Sequence, residues 1–157
     1  MGHTVTGLVA KLEALELFAR QRSLRSPVPL ALGLGLLPLR VDDIDSILGP
    51  PLSSYPEGFN NLSQQLLLKL SDASAGCTLV YFETEYFGGI GSQGAAAFRD
   101  GALIFGPQAG EFGPINQALT LLGVHVAAPA QDEFETVGLH RYRRTEDWWA
   151  SGLESAG

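Results

Sequence analysis

Apolar residues recur along this chain with two different periods, and each regular stretch predicts an element. Leu8, Leu12, Leu15 and Phe18 fall at i, i+4, i+7 and i+10, with Lys11, Glu13, Glu16 and Arg20 on the other faces, so the spacing predicts an amphipathic first helix. The run Arg25-Ser26-Pro27-Val28-Pro29 stops it. Leu30, Leu32, Leu34 and Leu36 then alternate with Ala31, Gly33 and Gly35, a pattern that predicts a strand whose second face leaves a neighbour no room for side chains. Residues 42–48 form a short helix with Asp42, Asp43 and Asp45 near its positive end, closed by Gly49-Pro50-Pro51. Residues 49–58 make a loop, and Phe59, Leu62, Leu66 and Leu70 share the next helical face.

The period changes to two over residues 77–87. Leu79, Tyr81, Glu83 and Glu85 fall on one face of this strand and Val80, Phe82, Thr84 and Tyr86 on the other. A glycine-rich loop, residues 88–94, turns the chain, and residues 94–98 run back. Asp100-Gly101 is a two-residue hairpin signal that sets Arg99 opposite Ala102, Phe98 opposite Leu103 and Ala97 opposite Ile104, which completes a three-strand meander. Pro114 and Gly123 bracket a helix that buries Ile115, Ala118, Leu119 and Leu122. Residues 132–149 lack a clear period and are expected to pack as a short helix followed by an extended tail. Fold class is therefore α+β, a small antiparallel meander packed against several helices, with residues 1–157 forming a single globular domain.

Composition narrows the function classes. At 45% apolar and 17% charged the chain is globular, and its net charge of -7 suits a basic partner better than a phosphate backbone. The lone Cys77 has no partner for an internal disulfide, which points to a reducing, cytoplasmic setting. No signal peptide is evident, and the longest apolar stretch, residues 28–39, is about 12 residues against the roughly 20 needed to span a bilayer. No nucleic acid and no membrane are expected as partners.

Gly89, Gly91 and Gly94 spell a formal G-x-G-x-x-G, the fingerprint of a dinucleotide site. That site needs a crossover helix after the third glycine, and only five residues separate Gly94 from Asp100. The glycines therefore read as a hairpin loop. Glu83 and Glu85, two apart on one face, have the spacing of paired glycosidase acids, although a solvated strand end explains them as well. The scattered His3, His125 and His140, and an Asp42 to Asp45 cluster lacking the rest of a calcium loop, give no metal site. Cys77 reads as a core thiol. His140-Arg141-Tyr142-Arg143-Arg144 is flanked by Asp132, Glu133, Glu135, Glu146 and Asp147, so local ion pairing is expected there. Trp148 and Trp149 belong either to the core edge or to an interface.

The string Tyr81-Phe82-Glu83-Thr84-Glu85-Tyr86-Phe87-Gly88-Gly89, with Gly91 and Gln93, is followed by Gly113-Pro114-Ile115-Asn116 with Ala118-Leu119, then by Asp132-Glu133-Phe134 and Gly138-Leu139 with Arg141-Tyr142. Together these strings, over about residues 79–147, resemble a group of small uncharacterised bacterial proteins, some of which look like immunity proteins of toxin systems. The resemblance implies no catalytic residues. The expected function is a non-catalytic protein-binding domain, an immunity-like or inhibitory partner of a basic protein, without cofactor or metal. Its contact residues are expected to be Glu83, Glu85, Tyr86, Phe87, Gly89 and Gln93. Two alternatives stand beside it: a small hydrolase using Glu83 and Glu85, and a small-molecule or nucleotide sensor using the glycine loop.

Overall fold

Six antiparallel strands and two apolar helical layers make up the architecture seen in a computed structural model, which describes residues 3–48, 59, 61–87 and 90–156. The strands are β1 (Thr6–Lys11), β2 (Val28–Pro29), β3 (Leu34–Pro38), β4 (Thr78–Phe87), β5 (Ile90–Arg99) and β6 (Ala102–Gly110), and they lie in the order β2-β3-β1-β4-β5-β6. The helices are α1 (Leu12–Gln21), α2 (Val41–Leu48), α3 (Gln64–Ala73), α4 (Pro114–Thr120), α5 (Glu133–Val137) and α6 (Thr145–Ala156). Alternation along the strands divides the apolar side chains between two cores. Leu8, Leu79, Tyr81 and Phe98 meet α1, α2 and α3 on one face, while Val9, Val80, Phe82, Ala95 and Ala97 meet α4, α5 and α6 on the other. The α+β class and the meander are as the sequence predicts; the sheet is twice as wide as the expected one, because the first half of the chain supplies β1, β2 and β3.

The widening corrects the first element. Leu8 belongs to β1, and only Leu12, Leu15 and Phe18 lie on the helix. A strand buried on both faces is continuously apolar, so its residues can complete a helical spacing by coincidence. Immediately after β2, residues 31–33 form a single 3₁₀ turn, where Leu32 takes φ 65° and is exposed. The strand expected from Leu30 thus begins at Leu34. Its close neighbour is real: a Cβ on Gly35 would stand 2.7 Å from Leu12 Cδ1 and 3.3 Å from Leu12 Cα, so α1 rests on bare backbone.

The acidic helix is observed as α2, with Asp43 accepting from the Arg40 backbone N–H at 2.9 Å and pairing with its guanidinium at 3.2 Å. Residues 49–58, expected as a loop, lie outside the described residues. Phe59 and Leu62 are buried ahead of α3 rather than on it, and Ser63 caps that helix by accepting from Leu66 N at 3.1 Å.

The Asp100-Gly101 turn has positive φ at both residues, 51° and 83°, as a type I′ hairpin requires. Arg99 pairs with Ala102 and Phe98 with Leu103, but Ala97 pairs with Phe105, not Ile104. A bulge absorbs one residue there. In the C-terminal region the expected extended tail is α6. Its Trp148 is fully buried, whereas Trp149 is half-buried with the Arg25 and Arg40 guanidinium groups 4.5 and 3.9 Å from its ring. Arg141 donates to the Pro29 carbonyl at 3.2 Å and lies 5.3 Å from the Trp148 ring. Its guanidinium thus holds the fold together through a carbonyl and a ring rather than the expected carboxylate.

Candidate functional site

β4 and β5 stay paired to the very end of their hairpin, Phe87 opposite Ile90, which leaves Gly88 and Gly89 as its connection. Both glycines, including the predicted contact Gly89, lie outside the described residues. The rest of the expected glycine loop is strand: Gly91, Gln93 and Gly94 are all on β5. The two glycines lack side chains for packing reasons. A Cβ on Gly91 would collide with the Glu85 carbonyl, and one on Gly94 would reach within 2.6 Å of the Phe59 ring. This geometry accounts for two of the three glycines of the dinucleotide fingerprint through strand packing.

The predicted contact residues divide between the two faces of the hairpin. Glu83 is 5% exposed, and its Oε2 accepts from the Tyr81 hydroxyl at 2.7 Å and from the Asn61 backbone N–H at 3.1 Å. It therefore holds the segment before α3 against the sheet and is not the solvated strand end that its spacing allows. Glu85 is exposed. At the tip Phe87 and Ile90 form a cross-strand pair, 84% and 81% exposed.

On the opposite face Tyr86 and Gln93 enter a cleft of about 300 Å³. Gln93 braces it: Oε1 accepts from Ile115 N at 2.8 Å, at the start of α4, and Nε2 donates to the Tyr86 hydroxyl at 3.0 Å. The Tyr86 hydroxyl donates in turn to the Glu111 carbonyl. Phe112, 79% exposed, stacks on Tyr86 with ring centroids 6.4 Å apart and planes at 21°. Across the cleft Phe134 meets the His3 ring edge-on at 5.4 Å. Asp132 caps α5 by accepting from Glu135 N at 2.9 Å, and it also accepts from Asn116 Nδ2 at 3.3 Å. Asn116 Oδ1 accepts from Phe134 N at 3.0 Å, which ties α4 to α5.

His3 is the residue of this cleft least legible in the sequence. The short edge of chain before β1 pairs with Tyr86, and this brings His3 Nδ1 to 2.6 Å from Thr84 Oγ1. Burial holds the imidazole below its ordinary 6.5; nearby Arg143 adds to the shift, and the Leu139 and Tyr142 carbonyls oppose it. A base whose folded pKa is lowered binds fewer protons than in the unfolded chain. Its stabilising increment is therefore present above pH 6.5 and is lost as pH falls from 6.5 through the lower folded value. Urea midpoints between about pH 5 and 8 should fall on the acid side in the native chain and fall less in His3→Gln. Equal slopes in the two proteins would remove His3 as the source.

Residues Phe112, Asn116, Asp132 and Phe134 also escaped the sequence reading as site residues. The helix starts at Pro114 and after Asp132 were visible signals, but nothing local says that the two starts converge. Tyr86, Gln93, Gly113, Asn116, Asp132 and Phe134 all line the cleft. Cys77 is half-buried just before β4 and belongs to neither apolar core, which corrects the expected core thiol; its pKa is raised first by burial and then by Asp100, which disfavours the thiolate. Among the described residues no group of three or more His, Cys, Asp or Glu is placed to hold a metal ion. No described helix is long and apolar enough to cross a membrane.

Fold and site together define a six-stranded antiparallel α+β protein with an exposed apolar hairpin tip above an aromatic cleft. No family model, curated protein or solved structure matches the chain.

Proposed function

We propose that this chain is a non-catalytic protein-binding domain, an immunity-like or inhibitory partner of a basic protein in a cytoplasmic setting. The observation that carries the reading is the hairpin tip. Two large apolar side chains, Phe87 and Ile90, stand together in solvent beside Glu85, and Phe112 is equally exposed against Tyr86 on the reverse face. Exposed apolar groups clustered at one end of a sheet, with aromatic anchors and a polar rim, are the material of protein interfaces. The net charge of -7 supplies the long-range attraction for a basic partner.

A partner isolated on the native chain, identified and reconstituted, gives the test by calorimetry. Phe87→Ser with Glu85→Lys should weaken its binding by at least about a hundredfold, because an apolar anchor and an attractive charge are lost together. Unchanged affinity would remove the tip from the interface. Turnover of any substrate that disappears in Glu83→Gln or Glu85→Gln, with the fold intact, would replace binding by hydrolysis.

A further inference from the structure

The cleft behind the hairpin has a chemical character of its own, which points to what part of a partner it takes. Three aromatic side chains, Tyr86, Phe112 and Phe134, line it, and among the described residues Asp132 is the only charged one that does. The two amides in its wall are already committed, Gln93 to Ile115 and Tyr86 and Asn116 to Phe134 and Asp132. The lowered pKa of His3 keeps that ring neutral near pH 7. Arg143 acts electrostatically on His3 but does not line the cleft. A concave site with π faces and a carboxylate whose described donors are a backbone N–H and an amide, not a cation, attracts a cation.

Elsewhere in the fold, aromatic rings already carry guanidinium groups. Guanidinium groups of Arg22, Arg25, Arg40 and Arg141 lie over Phe18, Trp149, Trp149 and Trp148 at 4.0, 4.5, 3.9 and 5.3 Å. None of these four guanidinium groups lies over Tyr86, Phe112 or Phe134. A guanidinium is planar, weakly hydrated and forked, so it can stack on a ring while donating to a carboxylate; an ammonium is a compact, strongly hydrated point charge.

We infer that the cleft receives an arginine side chain of a basic protein partner, its guanidinium set among the Tyr86, Phe112 and Phe134 rings and donating to Asp132. This rests on the protein-binding reading above. A cleft of about 300 Å³ at the lower end of ligand-site volumes accommodates one such side chain, and the neighbouring tip, Phe87 and Ile90, would contact the chain that carries it.

The test uses the full chain and the probe peptide acetyl-Gly-Arg-Gly-amide, with matched lysine and citrulline peptides, followed by nuclear magnetic resonance. Saturable shifts should centre on the Gln93 and Asn116 side-chain amides and on Gly113 and Phe134. The lysine peptide should bind several-fold more weakly, and citrulline, which keeps the shape without the charge, at least about tenfold more weakly. Asp132→Asn keeps an N-cap residue while removing the charge and should weaken the arginine peptide about tenfold. Phe112→Ala, at an exposed position, should weaken it about threefold. Equal binding of citrulline, shifts centred elsewhere, absence of saturable shifts, or an Asp132→Asn chain that binds as well as the native one would each overturn the inference. Its failure is separable from that of the binding reading. If a reconstituted partner loses affinity on Phe87→Ser but not on Asp132→Asn, the tip is an interface and the cleft is not its arginine pocket.

Discussion

Trp148→Ala should lower the unfolding free energy by about 3–5 kcal/mol, the cost typical of deleting a large aromatic side chain from a packed core. Trp148 is fully buried among the side chains that α4, α5 and α6 place against the sheet, and Tyr142 packs on it edge-on with centroids 4.8 Å apart. The helix that carries it is also stitched to the first strand. Thr145 Oγ1 accepts from Thr6 N at 3.0 Å, and Thr145 N donates to the Thr4 carbonyl at 3.1 Å. Collapse around a missing indole would have to drag β1 along, so the cavity should stay largely open. Trp148→Phe should recover most of the loss, because the indole N–H has no hydrogen-bond partner among the described residues. Urea denaturation read by circular dichroism measures both, and an unchanged midpoint in Trp148→Ala would place the ring outside the core.

Glu83→Lys should be comparably damaging, about 3–5 kcal/mol, while Glu85→Lys should stay within about 1 kcal/mol of the native chain. The two carboxylates are two residues apart on the same face of β4, yet they have opposite roles. Glu83 stands opposite Thr6 in the ladder and accepts from Tyr81 and Asn61, and Asn61 Nδ2 donates to Thr6 Oγ1 at 3.1 Å. A lysine there would bury an ammonium and leave the Tyr81 and Asn61 donors without their acceptor. Glu83→Gln keeps an oxygen in place and should lose only about 1 kcal/mol. Equal stabilities for the two lysine variants would contradict this division. The contrast also governs how a partner contact is probed: charge reversal at Glu83 tests the fold, and charge reversal at Glu85 tests the surface.

Much of the local structure was legible because it depends on short-range chemistry. Asp100-Gly101 demands positive φ, Pro114 opens a helix, and the alternation from Leu79 to Tyr86 assigns each side chain to a face whatever lies beyond it. The failures share one cause. Leu8 in a doubly buried strand, Leu32 on a tight turn and Trp148 on a C-terminal helix all took their conformations from partners far away in sequence. Of the six predicted contact residues, Tyr86 and Gln93 were found in the cleft and Glu85 and Phe87 at the tip of the hairpin. Glu83 was not separable from Glu85 by pattern, since what buries it is the chain around Asn61.

By itself, then, the sequence determined a hairpin at the glycine run, the meander that follows it, the class of the fold and a negative charge, because turns, alternation and composition act within a few residues. Only the tertiary structure decided that β1 would widen the sheet, that Glu83 would be buried and Glu85 exposed, and that His3, Tyr86, Phe112, Asn116, Asp132 and Phe134 would surround one cleft. Those residues come from four separate stretches of chain. Strand pairing and helix packing bring them together, and no local pattern carries that information.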